Sequence, residues 1–562
     1  MNKREEMIKR LSECENVIIK NVEGTNQRQI GLTVDKDSIL KFTEHVFKKL
    51  KGRIVNIIAT DRTQITGKYD LTYIYNFQAE DVVLLVRVEI DPADPRVDSI
   101  SGIIPGAIWF EREFKDMMGI VPVNHPDPRR LILADDWPEG LHPLRKDFPY
   151  NFKPPKVEFA KPDVKPVPGE ATVVNVGPFF PTLEEPAYFR LFVEGEKIVG
   201  ADYRGFYSHR GIEKLADTTL DYNQIPFLAE RICGICGFVH SCGYCQAVEA
   251  AAEIEIPERA KYIRTIMLEL ERIHSHLLWL GLAGHIIGFD TILMQSWRVR
   301  EPVMWLTEKI TGNRKTYGMN LVGGVRRDIP NEMHDEILQI LAKVEQETKK
   351  IVDAIVGDTT LKMRLQNVGV MNREEARDFC VIGPTARGSG LAIDNRKMNP
   401  YAAYDKMEFD IAVHDEGDIW SRTLVRVEEL FTAISIIRQA IEKIPEGPLM
   451  AENTEVPPGR EGVALLEAPR GECCHYVRTG DGKPERWAVR APTYMQLNGI
   501  HVMFEGESLA DAPIIVGSID PCFSCTERME TVDVSSKEIK ILSGEKLAEE
   551  WQKKNRGGET VD

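Results

Sequence analysis

The sequence predicts an α+β protein with two unequal domains, a small N-terminal α+β domain and a large, mainly helical domain. Short β-rich runs alternate with polar breaks over residues 16–93, and a proline-rich segment follows at 151–170. Beyond it, three stretches carry apolar residues at steps of three and four. Short β-rich runs are typical of strands, and apolar residues at steps of three and four are typical of amphipathic helices.

Length, composition and charge exclude several classes of protein. The chain has 562 residues and is 43% hydrophobic and 28% charged, which is typical of a chain that buries large cores. Domains average roughly 100–200 residues, so the length fits several folding units. The formal net charge of −16 excludes a typical duplex nucleic-acid binder, which needs an excess of cations to neutralise phosphates.

Neither a secretion signal nor a membrane span is predicted. The N-terminus, MNKREEMIKRL, is charged and lacks the apolar stretch of a signal peptide. The longest apolar run, residues 277–289, is too short for a bilayer and contains His285. We therefore expect a cytoplasmic protein that contacts a membrane through partners.

The N-terminal domain is predicted to span residues 1–150. Its β-rich runs, interrupted by the amphipathic stretch SILKFTEHVFKKL, predict a mostly antiparallel sheet. A helix is predicted at 108–120, followed by a loop. Five prolines in residues 151–170 predict an extended, semi-rigid linker, because proline fixes φ and removes a backbone donor.

The second domain is predicted to span residues 171–528. Long amphipathic helices are expected at 259–282, 333–344 and 417–442, where apolar residues recur at helical spacing. Residues 529–562 are polar and charged with little to bury, so they are predicted to be a detachable tail.

The cysteines are unevenly placed. Eight of the ten form close pairs, at 233/236, 242/245, 473/474 and 522/525. In a reducing compartment, close pairs are more often metal ligands or redox groups than structural disulfides. Cys14 and Cys380 stand alone, and we expect them to be small buried hydrophobes.

Two of these pairs lie in strong metal-binding motifs. Residues 231–240 read RICGICGFVH and residues 520–528 read DPCFSCTER. In each motif two thiols three positions apart can face one ion, and soft thiolates select Zn, Ni, Fe or Cu(I).

Spacing leaves three interpretations of these motifs open. The four cysteines can clamp one functional metal site across 289 residues, or they can form a structural zinc site. Alternatively, Cys233 and Cys236 can form a local cluster with Cys242 and Cys245. A helix predicted to start at Ser241 would put Cys242 and Cys245 on one face.

Together the two motifs resemble the ligand motifs of the large subunit of [NiFe] hydrogenases. The resemblance implies that Cys233 and Cys522 are terminal thiolates on nickel. It implies that Cys236 and Cys525 bridge nickel to an iron that carries CO and cyanide. Cys242 and Cys245 have no counterpart in the family motif and are expected to be packed thiols.

The resemblance also implies catalytic groups around the metals. Heterolytic splitting of H2 requires a Lewis-acidic metal pair and a nearby base for the proton. The stretch YSHRGIEK resembles the family's R-G-x-E segment, in which Glu213 would accept the proton from Cys522. Outside the family context, a salt-bridged helical glutamate beside Lys214 is an equally good interpretation of Glu213.

Three further residues receive roles from the resemblance. Glu467-Ala-Pro-Arg470-Gly471 resembles the segment whose arginine overhangs the open metal position, where a guanidinium offers fixed donors. Asp520 would orient Arg470, and His240 would hydrogen-bond a bridging sulfur. The plainer alternatives are an ordinary loop arginine and a satisfied core histidine.

Two other patterns are not interpreted as sites. The glycine-rich stretch at 383–390, GPTARGSG, lacks the spacing of a nucleotide-binding loop. His274 and His276 lie two positions apart on a predicted helix, so they face different directions and are not expected to be paired ligands.

Both domains resemble subunits of respiratory NADH–quinone oxidoreductase. The N-terminal segments EREFKDMMGI, HPDPRR and HPLRKDFP resemble its 30 kDa subunit, and HRGIEK and GPTARGSG resemble its 49 kDa subunit. A fusion of the two that keeps all four metal cysteines resembles the large subunit of formate hydrogenlyase and hydrogenase-4 complexes, the membrane-bound group 4 [NiFe] hydrogenases. The resemblance covers roughly residues 20–535.

This family implies a catalytic subunit that reversibly reduces protons to H2 and exchanges electrons through partners. The implied partners are a small subunit with a [4Fe–4S] cluster, further ferredoxin-like Fe–S subunits and membrane subunits, with formate dehydrogenase as one candidate donor. Two alternatives remain: a fused respiratory subunit lining a quinone site, and a zinc-clamped scaffold. A quinone pocket needs no thiolates, which argues against the first.

The family also implies processing of the C-terminus. The tail from Met529 matches the precursor extension that an endopeptidase removes after nickel insertion, and a cut is expected between Arg528 and Met529. Arg528 stands where many members have histidine, so the resemblance does not extend to a magnesium site there.

Overall fold

The structure is a computed structural model that describes residues 3–23, 28–155, 157, 163–177, 186–206, 209–523, 530–533 and 538–541. The helices and strands of the N-terminal domain are α1 Lys3–Ser12, β1 Ile19–Glu23, β2 Gln29–Val34, α2 Ile39–Glu44, β3 Arg53–Arg62, α3 Thr63–Thr66, β4 Lys68–Phe77, β5 Val82–Ile90, β6 Arg96–Asp98, α4 Ile108–Met118 and β7 Val121–Val123.

The first five strands form one sheet in the order β1-β2-β5-β4-β3. Strands β2 and β5 are parallel, and the other three neighbouring pairs are antiparallel. The mostly antiparallel sheet is therefore confirmed, and the helix predicted at 108–120 is present as α4, Ile108–Met118. Helix α4 ends at Gly119, whose φ of 76° is in the left-handed region that glycine adopts without a Cβ penalty.

The second domain combines long helices with two three-stranded sheets. Its elements are β8 Thr172–Val176, β9 Tyr188–Glu194, β10 Lys197–Arg204, α5 Ile212–Thr218, α6 Ile225–Ala229, α7 Gly237–Ala252, α8 Glu258–Ile286, α9 Asp290–Thr311, β11 Asn320–Leu321, β12 Gly324–Val325, α10 His334–Gly357, α11 Thr359–Leu365, α12 Arg373–Asp378, α13 Gly383–Gly388, α14 Asn395–Met398, α15 Ile419–Lys443, β13 Glu461–Ala468, β14 Gly471–Thr479, β15 Pro484–Arg490, α16 Pro492–Asn498, α17 Ile500–Phe504 and α18 Ala512–Ser518. The C-terminal tail contains β16 Glu530–Asp533 and β17 Glu538–Ile541.

The three long helices expected from apolar periodicity are α8, α10 and α15. Helix α8 is buried on nearly its whole circumference between residues 259 and 281, so it forms the centre of the domain. Helix α10 keeps one apolar face, which includes Ile337, Leu341 and Val344. The mainly helical character of this domain follows from these helices and their neighbours.

A sheet of β13, β14 and β15 joins the two domains and was not expected from the sequence. Its outer face packs on the N-terminal sheet, where Leu465, Tyr476 and Ala488 meet Ile58 and Leu85 in one apolar cluster. Both faces of β13 and β14 are buried, so their sequences lack the alternation that marks a half-exposed strand.

The segment between the domains has no helix or strand among its described residues, 151–155, 157 and 163–170. Lys165 is nevertheless attached to the sheet of β8, β9 and β10, because its N–H donates to Asp202 and its carbonyl accepts from Arg190. Within the described part of the chain, none of the helices combines the length and apolarity needed to cross a membrane.

Candidate metal centre

The early and late cysteine motifs meet inside the second domain. Cys233 and Cys236 immediately precede α7, and Cys522 follows α18. The Sγ atoms of Cys233 and Cys522 lie 3.3 Å apart, although 289 positions separate the two residues in the chain. Cys233, Cys236 and Cys522 form a buried cluster of their own, packed against Ile235. Cys525 lies outside the described residues.

Backbone N–H groups near Cys233 donate to its own sulfur atom. The N–H groups of Ile235 and Cys236 point to Cys233 Sγ at 3.4 Å and 3.3 Å. The Tyr317 hydroxyl donates to the carbonyl of Cys233 at 3.1 Å. Backbone N–H donors favour a thiolate over a neutral thiol, so this turn suits a metal ligand.

Helix α7 begins earlier than the sequence suggested, at Gly237 rather than at Ser241. The cause is Glu271 of α8, whose carboxylate accepts from the N–H groups of Phe238 and Val239 at 2.8 Å and 3.1 Å. A side chain from a distant helix thus caps α7 and fixes the turn that carries both early cysteines.

Cys522 is held from the opposite side. Its N–H donates to the hydroxyl of Thr493 at 3.0 Å. Just upstream, two buried arginines of α15 fix the end of α18: Arg422 donates to the Ser518 hydroxyl and Arg426 to the Ser518 carbonyl, both at 2.8 Å. The position of the late thiol is therefore set by the helical core.

The thiols of Cys233 and Cys236 are protonated when no metal is bound. The hydrogen bond with Cys236 and burial raise the pKa of Cys233 well above its usual value. For Cys236, the hydrogen bond with Cys233 lowers the pKa, but burial and the neighbouring Cys522 outweigh it and raise the pKa to about 11. A divalent ion would reverse this balance, because a coordinated thiol loses its proton.

Arg470 supplies positive charge beside the three thiols. Its Nε donates to the Asp520 carbonyl at 2.7 Å and its Nη2 to Asp520 Oδ1 at 2.8 Å. Burial lowers the Arg470 pKa, but Asp520 and then Cys522 and Cys233 outweigh this and raise it. Among the described residues, Arg470 Nη1 has no hydrogen-bond partner although it is buried. Such a buried donor is costly unless a ligand satisfies it.

The loop that carries Arg470 is fixed by the glycine-rich segment at 383–390. Gly383 has a φ of 66°, and a Cβ there would lie 2.3 Å from the Arg470 carbonyl oxygen. Arg387 of the same segment donates to Glu467 Oε1 at 2.8 Å, and the Gln496 amide donates to the Arg470 carbonyl at 2.7 Å. Glycine at 383 thus permits the close backbone approach that supports Arg470.

A chain of hydrogen bonds fixes the protonation of His240. The indole N–H of Trp487 can only donate, and it points to His475 Nδ1 at 3.2 Å. Neutral His475 therefore carries its proton on Nε2, which faces His240 Nδ1 at 3.2 Å. His240 Nδ1 is then an acceptor and Nε2 bears the proton. Burial lowers the pKa of His240 to about 3, so the ring stays neutral.

The same residues resemble a small metal site, since ligand atoms of His240, Cys473 and His475 all lie within 4.8 Å of one another. The donor from Trp487 argues against that interpretation. It places a proton on the His475 nitrogen that would have to bind the ion. The geometry therefore favours a hydrogen-bonded group, in which Cys473 also contacts His240 Nδ1 at 3.5 Å.

The remaining described cysteines are packed in cores. Cys242 and Cys245 are fully buried on α7, and Cys242 Sγ accepts from the Gln246 amide at 3.3 Å. Neither belongs to the cluster of Cys233 and Cys236, which disfavours a local four-cysteine site. Cys474 lies between the two sheets.

Glu213 lies near Cys522 at a cavity between the domains. Both residues line this cavity of about 110 Å³. The Glu213 carboxylate pairs with Arg486 at 2.7 Å and accepts from the Val489 N–H at 2.9 Å. The neighbouring Lys214 instead donates to the Arg145 carbonyl, so the ion pair of Glu213 is made with a strand of the joining sheet.

His274 and His276 have separate surroundings on α8. Arg300 Nη2 contacts His274 Nδ1 at 3.4 Å, whereas His276 Nε2 contacts Glu429 at 2.8 Å. Their different partners agree with the expected divergence of the two side chains.

Comparison with known proteins identifies the family. The model of the nickel-dependent hydrogenase family matches residues 210–285, which include Cys233, Cys236 and Glu213. Models of the 49 kDa and 30 kDa subunits of respiratory-chain NADH dehydrogenase match residues 287–463, 451–528 and 32–154. The chain is 41% identical to formate hydrogenlyase subunit 5 of Escherichia coli over 92% of both chains. The chain belongs to the large subunits of group 4 [NiFe] hydrogenases.

Other relatives indicate which type of hydrogenase large subunit this chain is. Hydrogenase-4 component G of Escherichia coli is 39% identical over 92% of both chains. The membrane-bound hydrogenase subunit alpha of Pyrococcus furiosus is 39% identical over 67% of this chain and 93% of its own length. The hydrogenase large subunit is thus of the formate hydrogenlyase and hydrogenase-4 type, fused to a 30 kDa-subunit-like domain.

The fold is shared with respiratory complexes that are not hydrogenases. A chain from the archaeal membrane-bound sulfane sulfur reductase aligns over 65% of this hydrogenase large subunit and 100% of its own length, with a TM-score of 0.61 and 31% identity. An NADH-quinone oxidoreductase chain of Phocaeicola vulgatus is 33% identical over 85% of this chain and 96% of its own.

Proposed function

We propose that this hydrogenase large subunit reversibly reduces protons to H2 at a Ni–Fe centre held by Cys233, Cys236, Cys522 and Cys525. The observation that carries the proposal is the 3.3 Å contact between the sulfurs of Cys233 and Cys522. Two sulfurs that each bind one ion at about 2.3 Å cannot lie more than about 4.6 Å apart, so this contact fits a shared ion. When bound, the centre supplies the Lewis-acid and electron-transfer chemistry that interconverts two protons, two electrons and H2.

The residues around the thiols suit such a centre. Four thiolates would bring excess negative charge into a buried site, and the Arg470 guanidinium balances part of it. Its buried Nη1 has no partner in the described part of the chain, so it is available to a ligand of the metals or to the reacting hydrogen. Asp520 fixes the guanidinium through two hydrogen bonds.

His240 would act on a bridging sulfur. Because Trp487 and His475 leave the proton on His240 Nε2, that nitrogen is a donor. A donor at a bridging thiolate stabilises its negative charge and limits its reactivity. The roles of terminal ligand for Cys233 and Cys522 and of bridging ligand for Cys236 and Cys525 follow the family motif, as do the CO and cyanide ligands of the iron.

Glu213 would accept the proton from Cys522. Both line the same cavity, which would provide the space for the proton to pass between them. The Arg486 and Val489 donors hold the Glu213 carboxylate in one orientation.

Electrons would pass to a partner subunit with a [4Fe–4S] cluster, and further ferredoxin-like and membrane subunits would complete a cytoplasmic-side complex. The names of the relatives support this proposal, since they include formate hydrogenlyase and a membrane-bound hydrogenase. Formate dehydrogenase is the candidate donor that the first of these names suggests.

Maturation would remove residues 529–562. The described part of this tail contains β16 and β17, which pair antiparallel, and the proposed cut between Arg528 and Met529 lies outside the described residues. Cys525 stands three positions before the cut, so an intact tail would keep that ligand open for metal loading. Active enzyme should have the mass of a chain ending at Arg528, and a retained tail would contradict this step.

The proposal is tested by metal content. Cys522→Ala should lose nickel, because it removes a ligand that contacts Cys233. Cys245→Ala is the matched control, since it removes another buried thiol, on α7, and should retain nickel. Equal nickel in both variants would contradict the proposal. Zinc in place of nickel would favour a structural clamp, and a quinone without metal would favour a respiratory-type subunit.

A further inference from the structure

A second carboxylate faces the cavity that Glu213 and Cys522 share. Glu113, on α4 of the N-terminal domain, lines this cavity of about 110 Å³ together with both residues. Glu113 and Glu213 also line a neighbouring cavity of about 350 Å³, whose walls include Lys214 but not Cys522. The two glutamates therefore stand where the two cavities adjoin, one contributed by each domain.

The two carboxylates have different partners. Glu113 Oε2 accepts from the Tyr494 hydroxyl at 2.7 Å, whereas Glu213 is paired with Arg486. The Tyr494 ring stacks on Phe110, one turn before Glu113, so the hydroxyl is held in place. Glu113 thus has a neutral donor as its partner, and Glu213 has a charged one.

The charges around the pair favour retention of one proton. Burial and then the negative charge of Glu213 raise the pKa of Glu113 to about 7, while Tyr494 and Arg486 lower it. Asp116 adds a further negative charge from α4. On the walls, Lys214, Arg210 and His209 face the same space. The Arg486 guanidinium balances only one of the two negative carboxylates, so a proton on Glu113 removes the remaining repulsion.

We propose that Glu113 is the second carboxylate of the proton path. It connects the cavity of about 110 Å³, which Cys522 lines, to the neighbouring cavity of about 350 Å³. In the forward step the S–H bond of Cys522 breaks and an O–H bond forms on Glu213. The proton then passes to Glu113, and Glu213 returns to its ion pair with Arg486. No electron moves in these steps, so they need no oxidant or reductant.

This path gives the N-terminal domain a part in the chemistry. The inference rests on the proposed function for the identity of the proton source, but the protonation of Glu113 does not require any metal. The proposed function and the role of Glu113 can therefore be tested separately on the same full-length chain.

The first experiment is an infrared pH titration of the metal-free, full-length chain. In the wild-type spectrum, the protonated carboxyl band should lose intensity with a midpoint near pH 7, and Glu113→Gln should remove the part of this loss that belongs to Glu113. Glu111→Gln is the matched control: Glu111 also has a pKa raised by burial to about 7, but it bonds Ser99 and Ser101 and lines neither cavity. Identical wild-type and Glu113→Gln titrations would overturn the inference.

The second experiment measures isotope exchange between H2 and D2O by the nickel-loaded complex. Glu113→Gln should slow exchange by about tenfold or more, Glu113→Asp should restore part of the rate, and Glu111→Gln should match wild type. Tyr494→Phe keeps the stacked ring but removes a donor that lowers the Glu113 pKa, so the pH profile should move to higher pH.

The outcomes separate the two proposals. Wild-type exchange in Glu113→Gln with nickel bound would overturn the path while leaving the proposed function intact. A wild-type protein without nickel would instead contradict the proposed function, and the infrared titration would still decide the protonation of Glu113.

Discussion

Replacement of Arg470 by lysine tests the geometry of the site most severely among single substitutions. The guanidinium makes two hydrogen bonds to Asp520, at 2.7 Å and 2.8 Å, and still presents Nη1 as an unpaired buried donor among the described residues. A lysine has a single nitrogen, so it cannot reach both Asp520 acceptors and the space at Nη1 together. The charge is kept, and what is lost is the direction of the donors.

The size of the effect follows from that loss. A hydrogen bond involving a charged group contributes about 1.5–3 kcal/mol, which corresponds to roughly a 10- to 150-fold lower rate if the bond forms in the transition state. Nickel should remain bound, because the four proposed ligands are unchanged. The assay is H2 evolution with a reduced artificial donor, normalised to nickel content.

The matched control is Arg259→Lys. Arg259 is equally buried and makes a two-point contact with Asp328 at 2.8 Å and 3.1 Å, away from the cysteines. Both variants should lose about 1–3 kcal/mol of unfolding free energy, but only Arg470→Lys should lose turnover. A wild-type rate per nickel in Arg470→Lys would refute the reasoning.

Three further predictions follow from the site. Glu213→Gln should abolish H2 turnover while nickel stays bound, and retained turnover would move the proton path elsewhere. The pKa of Cys236 is raised to about 11, so metal uptake must displace protons from the thiols. The nickel affinity of the metal-free chain, measured by equilibrium binding, should therefore increase from about pH 6 to about pH 9. An affinity that does not change with pH would contradict this. Trp487→Phe should remove the donor that fixes the tautomers of His475 and His240. The ¹⁵N spectra of the metal-free variant should then show mixed tautomers of both rings. An unchanged spectrum would mean that other contacts fix the tautomers.

Periodicity revealed the elements that have one apolar face. Helices α8, α10 and α15 could be predicted because their core residues recur at helical spacing. The sheet of β13 to β15 could not, since both faces of β13 and β14 are buried and no alternation remains. The start of α7 was misplaced because its cap, Glu271, comes from another helix.

In the site, too, the sequence reveals local motifs but not the contacts between residues that are far apart in the chain. The cysteine motifs are visible as spacing, but their joining depends on the fold, which brings Cys522 to Cys233. Glu113 and Arg387 lie in segments that resemble respiratory subunits, but nothing in those segments assigns either residue to the metal site, and His475 has no local signal. Glu113 joins the site through the domain interface, His475 through β14 and Arg387 through the glycine-rich segment at 383–390.

Metal content and infrared spectroscopy of the mature protein test the central claim most directly. We expect one nickel and one iron per chain, with CO and cyanide stretching bands that disappear in Cys522→Ala. Mature protein that contains zinc alone, or no metal, and shows none of these bands would contradict the account.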